Sequence, residues 1–124
     1  MLRPVQDNEI SLDGVSIAFL VEFAAECRRT RPDAGIATTD DVCKSIVKPA
    51  TEGAKCSYAE LLKRTGRAQH VRQANLFFSH AWRYNFQLAV ETLADWCKRK
   101  GLDARACFVW FDIYTVNQHT GITV

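Results

Sequence analysis

The chain has 124 residues, 48% of them hydrophobic and 24% charged, with a formal net charge of +2. That length supports one compact domain and is too short for two. So small a positive excess is far from the basic bias with which nucleic-acid binders collect phosphate contacts, and nucleic acid is therefore not an expected partner.

Residues 1–13 are polar, carry Pro4 and show no period, so they read as a loose leader. Val15 to Arg29 reads as a helix, with Ile17, Leu20, Val21, Ala24 and Cys27 on one side and Glu22, Glu26 and Arg29 towards the other. Its most apolar part, Val15 to Ala25, is about half of what a bilayer requires and contains Glu22, so no membrane span is expected. No signal-peptide order of basic region, apolar core and cleavage site fits the start either.

Arg31 to Gly35 is a connecting loop, after which Thr39-Asp40-Asp41 opens a short helix to about Val47. Pro49 argues against its simple continuation. Ser57 followed by Glu60 is a capping-box pattern for a third short helix ending near Gly66. Residues 14–72 thus form a helical lead-in.

The period then changes. Leu76 to Phe78 and Ala106 to Phe111 are unbroken apolar runs, which suit strands buried on both faces of a parallel sheet. Between them, Phe86, Ala89, Val90, Leu93, Ala94, Trp96 and Cys97 fall at helical spacing, with Gln87, Glu91, Asp95 and Lys98 opposite. Lys98, Arg99 and Lys100 complement the negative end of that helix, and Gly101 is placed to stop it. Residues 73–124 therefore read as a βαβ unit, giving an α/β fold with parallel strands behind a helical N-terminal region. Two strands and one helix do not cover a parallel sheet. Either the lead-in covers it in an unusual way or strands follow Val124, and the expectation is a truncated domain.

Cys27, Cys43, Cys56, Cys97 and Cys107 are odd in number and irregularly spaced, without C-x-x-C, which suits free thiols in a reducing compartment and a cytoplasmic location. His80, His119 and Asp112 are ligand types, but their spacing with any cysteine matches no metal module, so no metal is expected.

Ligands of open parallel sheets bind beyond the carboxyl ends of the strands. Ser79 and His80 follow the first strand and Asp112 follows the second, and neighbouring strands lie about 5 Å apart, so the three side chains can share a crevice. Each also has an ordinary structural reading: Ser79 as a cap, Asp112 as a loop anchor, His80 as a packed imidazole. A Ser-His-Asp hydrolase is disfavoured because Ser79 lacks the G-x-S-x-G elbow. Trp82 and Tyr84 are the aromatic pair nearest the crevice, whereas Trp96 and Trp110 suit core positions. No Gly-rich dinucleotide or P-loop follows either strand.

Leu76-Phe77-Phe78-Ser79-His80-Ala81-Trp82, the following helix, and Phe108-Val109-Trp110-Phe111-Asp112 resemble the first half of a TIR (Toll/interleukin-1 receptor) domain. The S-H-A-W wording with the later W-F-D-x-x-x-x-N-Q-H is similar to a group of TIR-like proteins from protists. The resemblance implies a partial flavodoxin-like fold and a signalling or protein-interaction module, with homotypic self-association. It places Phe78, Ser79, His80, Trp82 and Asp112 around a ligand crevice. Tyr114, Thr115, Val116, Asn117, Gln118 and His119 would begin the interaction loop, which runs on to Thr120. Some TIR domains cleave NAD with a glutamate on a later helix; Glu91 is no substitute for it. The expectation is no catalytic residue and no cofactor here, with NAD as the substrate only of a longer product, or a nonfunctional fragment.

Overall fold

The computed structural model describes residues 2–5, 12–79 and 82–119. Its sheet has five strands, β1 (Leu2–Pro4), β2 (Asp13–Ser16), β3 (Val71–Gln73), β4 (Leu76–Phe78) and β5 (Phe108–Trp110), in the order β1-β4-β5-β2-β3. β4 and β5 run parallel in the register Leu76↔Val109 and Phe77↔Trp110, with α5 (Phe86–Arg99) as the crossover between them. The fold is mixed α/β, and the expected βαβ unit lies at the centre of its sheet.

The rest of the sheet comes from residues read above as leader and helical lead-in. Leu2 and Arg3 pair antiparallel with Phe78 and Phe77, and Val15 and Ser16 pair antiparallel with Val109 and Phe108. Both sides of the parallel pair are thereby occupied by antiparallel neighbours. Local polarity concealed β1 because a three-residue edge strand carries no readable period. β2 was concealed because Val15 and Ser16 run directly into the apolar stripe of α1 (Ile17–Thr30).

Gly14 fixes how β2 and β3 meet the central strands. A Cβ at this position would lie 2.9 Å from the Phe108 carbonyl carbon and 3.0 Å from the Ala74 Cα, so the chain passing from β3 to β4 approaches a backbone without a side chain.

The central strands alternate rather than being buried on both faces. Leu76, Phe78, Val109 and Phe111 are buried, while Phe77, Phe108 and Trp110 are half-buried. On that second face Phe77 stacks on Trp110, with centroids 4.6 Å apart and planes 9° from parallel, and the Arg3 guanidinium lies 4.7 Å above Phe77. The aromatic residues that made these runs look continuous shield one another across strands and carry a cation on the outer ring.

α1 and α5 pack together on the buried face, with Phe23 edge-on to Phe86 at 5.9 Å and Phe86 6.5 Å from Phe111. Phe86, Ala89, Val90, Leu93 and Cys97 of α5 are buried, as their spacing predicts. Burying a side chain the size of Leu93 stabilises by about 1.5–3 kcal/mol. Gln87 departs from that reading: it is buried, donating from Nε2 to the Ala24 carbonyl at 3.1 Å and accepting from Arg28 Nη1 at 2.5 Å. Two good partners on α1 offset its desolvation. α5 ends where Gly101 takes φ +68°, with Leu102 N–H returning to the Cys97 carbonyl.

Thr38 caps α2 (Thr39–Val42) in a reciprocal box with Asp41, whose carboxyl is held below its ordinary value by the Thr38 N–H. Helical structure then passes through Pro49, by way of a π-helical turn at Cys43–Val47 into α3 (Lys48–Thr51). Proline offers no amide to the Ser45 carbonyl four residues back, and that carbonyl accepts from Arg31 at 3.5 Å. Ser57 caps α4 (Tyr58–Arg64), which stops just before Gly66.

Candidate functional site

The carboxyl ends of β4 and β5 bring part of the predicted constellation together. Phe78 is buried, Ser79 is exposed and Trp82 is half-buried, while His80 lies outside the described residues. Asp112 is the first residue of α6 (Asp112–Thr115), directly beyond β5. Trp82 Nε1 donates to Asp112 Oδ2 at 2.5 Å, so the two motif residues touch across the strand ends. Asp112 Oδ1 is buried and has no hydrogen-bond partner among the described residues.

Thr39 and Asp40 tie the start of α2 to the turn that carries Trp82 and Tyr84. Backbone N–H groups of Thr39 and Asp40 donate to the Tyr84 and Trp82 carbonyls at 2.9 and 2.7 Å, and the Thr39 hydroxyl adds a 3.3 Å bond to Tyr84. From below, Gln118 Nε2 donates to the Asp112 carbonyl at 3.2 Å. The Cys43 thiol belongs to the same neighbourhood: burial above all, then the Asp40 and Asp112 charges, push it up to about 11, so it remains a neutral thiol.

The segment expected to be an interaction loop is largely folded inward. Tyr114 is fully buried, with its ring edge-on to Phe19, Phe23, Tyr58 and Phe111 at centroid distances of 5.5, 5.2, 5.6 and 5.4 Å. Its hydroxyl has no partner among the described residues, and burial drives its pKa well up. Thr115, Val116, Asn117, Gln118 and His119 are half-buried. The Thr115 hydroxyl and the Val116 amide bond back into α6, to the Phe111 and Asp112 carbonyls, and Asn117 Nδ2 donates to the Lys55 carbonyl at 2.8 Å.

His119 forms an arrangement that its sequence position did not announce. Nε2 is 2.7 Å from Thr51 Oγ1 and Nδ1 is 3.1 Å from Glu52 Oε2, with the imidazole only 4% exposed. Hydroxyl, imidazole and carboxylate in line have the outline of a nucleophile triad. Thr51 is nevertheless 1% exposed, and its hydroxyl is 2.9 Å from the Val47 carbonyl, which can only accept. The Thr51 proton thus has the Val47 carbonyl as a competing acceptor, and the hydroxyl is closed off from any substrate. The cluster ties residue 119 to α3 and is structural. Sequence reading missed it because Thr51 and His119 are 68 positions apart.

No family model, curated protein or solved structure matches the chain.

Chemistry elsewhere is sparse. Among the described residues, no three His, Cys, Asp or Glu side chains gather as a metal group, and no helix is long and apolar enough to cross a membrane. All five cysteines are free and buried, with Cys97 and Cys107 sulfurs 3.8 Å apart. Two cavities of about 380 and 410 Å³ flank Arg31 and share Cys27, Arg31 and Ile46; neither is lined by Phe78, Ser79, Trp82 or Asp112. Their walls mix opposite charges, Lys44 with Asp41 in one and Arg67 with Glu22 in the other, so they select no one ligand chemistry.

Proposed function

We propose that this chain is a TIR-like protein-interaction module that acts by homotypic self-association, with its β4-α5-β5 unit as the first half of a flavodoxin-like arrangement. The observation that carries this reading is the Trp82–Asp112 hydrogen bond beneath the Thr39 and Asp40 amides. It engages the carboxylate at the strand ends with a group of the chain itself, and recognition is assigned to outward surfaces. Glu91 stands on the exposed side of α5.

The test is sedimentation equilibrium of the purified protein over a wide concentration range, paired with an assay of NAD consumption. Reversible self-association without NAD turnover is expected. A monomer at every concentration, or NAD cleavage that is lost in Asp112→Asn, would overturn the reading in favour of a different module or of the hydrolase alternative.

A further inference from the structure

Among the described residues, three of the most exposed large hydrophobic side chains lie on segments that adjoin at the start of α5: Ile36 is 80% exposed, Leu88 51% and Tyr84 49%. Hydrogen bonds hold them together. Asn85 Nδ2 donates to the Gly35 carbonyl at 2.8 Å, its Oδ1 accepts from Leu88 N–H at 3.0 Å, and Phe86 N–H donates to the Ala37 carbonyl at 3.0 Å. The loop that carries Ile36 is thus pinned beside the turn that carries Tyr84 and Leu88. Apolar side chains grouped in this way, rather than scattered singly, mark contact surfaces.

The rim is charged with both signs. Arg83 precedes Tyr84, Glu91 stands one helical turn beyond Leu88, and Asp33 begins the turn that closes at Ile36. Arg83 and Glu91 are exposed, and neither joins an ion pair among the described residues, whereas Glu26, Asp40, Glu60, Asp95 and Asp103 all do. An apolar centre between a free cation and a free anion is self-complementary. Two copies of α5 crossing antiparallel near Leu88 bring each Arg83 to the partner's Glu91, twice over, as a two-fold axis requires.

We infer that this patch is the surface on which a second copy of the chain docks, with Leu88 near the axis, Tyr84 and Ile36 around it, and Arg83 facing Glu91 across the interface. The inference rests on the self-association reading above and gives that reading a location. Three side chains make a patch well below the ~800 Å² per partner of stable dimers, so the complex is weak and reversible.

The experiment is sedimentation equilibrium on the whole chain with Arg83→Glu, Glu91→Arg, the double exchange and Leu88→Lys, with circular dichroism as the control for folding. Each single reversal is expected to weaken dimerisation about tenfold, and the double exchange to restore it. Leu88→Lys should leave a monomer. A wild-type dimer that none of these changes touches would sink this inference and leave the self-association reading standing; a wild-type monomer throughout would end both.

Discussion

The indole nitrogen of Trp82 donates to the carboxylate of Asp112, 2.5 Å away, and joins the turn after β4 to the first residue of α6. One oxygen of that carboxylate is already buried without a partner among the described residues. Trp82→Phe would leave both bare, at a cost of about 1–3 kcal/mol for the lost bond to a charged acceptor. Asp112→Asn keeps an acceptor for the indole and should cost less. Urea denaturation of the two variants checks the order; equal losses would mean that the carboxylate charge, not the hydrogen bond, matters.

Tyr114 reverses the usual expectation for a buried tyrosine. Its ring is gripped by four aromatic neighbours while its hydroxyl is buried and unpaired among the described residues. Removing only the hydroxyl, in Tyr114→Phe, should raise stability by about 1 kcal/mol, because an unsatisfied buried donor costs free energy. Truncating the ring, in Tyr114→Ala, should cost about 3–5 kcal/mol. A destabilised Tyr114→Phe, measured by thermal unfolding, would mean that the hydroxyl has found a partner.

Gly14 leaves no space for a methyl group, since the Phe108 backbone and Ala74 lie at 2.9 and 3.0 Å from where it would sit. Gly14→Ala is expected to destabilise by about 1–3 kcal/mol through overpacking. Gly35→Ala, where a Cβ meets nothing within 4 Å, is the control and should be near neutral.

The Cys43 and Cys107 thiols are each pushed up to about 11 from an ordinary 9.0, in both cases chiefly by burial. A raised folded pKa means that the native state holds the proton more tightly than the unfolded chain does. Their contribution is complete below pH 9.0 and is lost as pH rises through about 11. Stability measured by denaturant midpoint should therefore fall between those limits, and thiol reagents should label native protein slowly at neutral pH. Rapid labelling of Cys43 or Cys107 at pH 7 would contradict their burial.

Much of the central unit was legible in the sequence. The helical spacing of Phe86, Val90, Leu93 and Cys97, the cations of the last turn and Gly101 together specified α5, and the strands before and after it followed from two apolar runs. Serine and threonine caps at Ser57 and Thr38 are equally local, because each is decided by the residues within one turn of it. By contrast, β1, β2 and β3 are three or four residues long and take their strand character from distant partners, 76 positions away for Leu2 and Phe78 and 94 for Val15 and Val109. No local pattern encodes a pairing of that kind. Helical continuity through Pro49, the burial of Gln87 and the inward fold of Tyr114 to His119 likewise depend on groups supplied from elsewhere, namely Arg31, Ala24, Phe19 and Thr51. The sequence by itself determined where α5 lies and stops and which residues cap α2 and α4, since those outcomes rest on neighbours along the chain. Only the tertiary structure decided which strands flank the parallel pair and that Trp82 meets Asp112, because hydrogen bonds between distant residues set both.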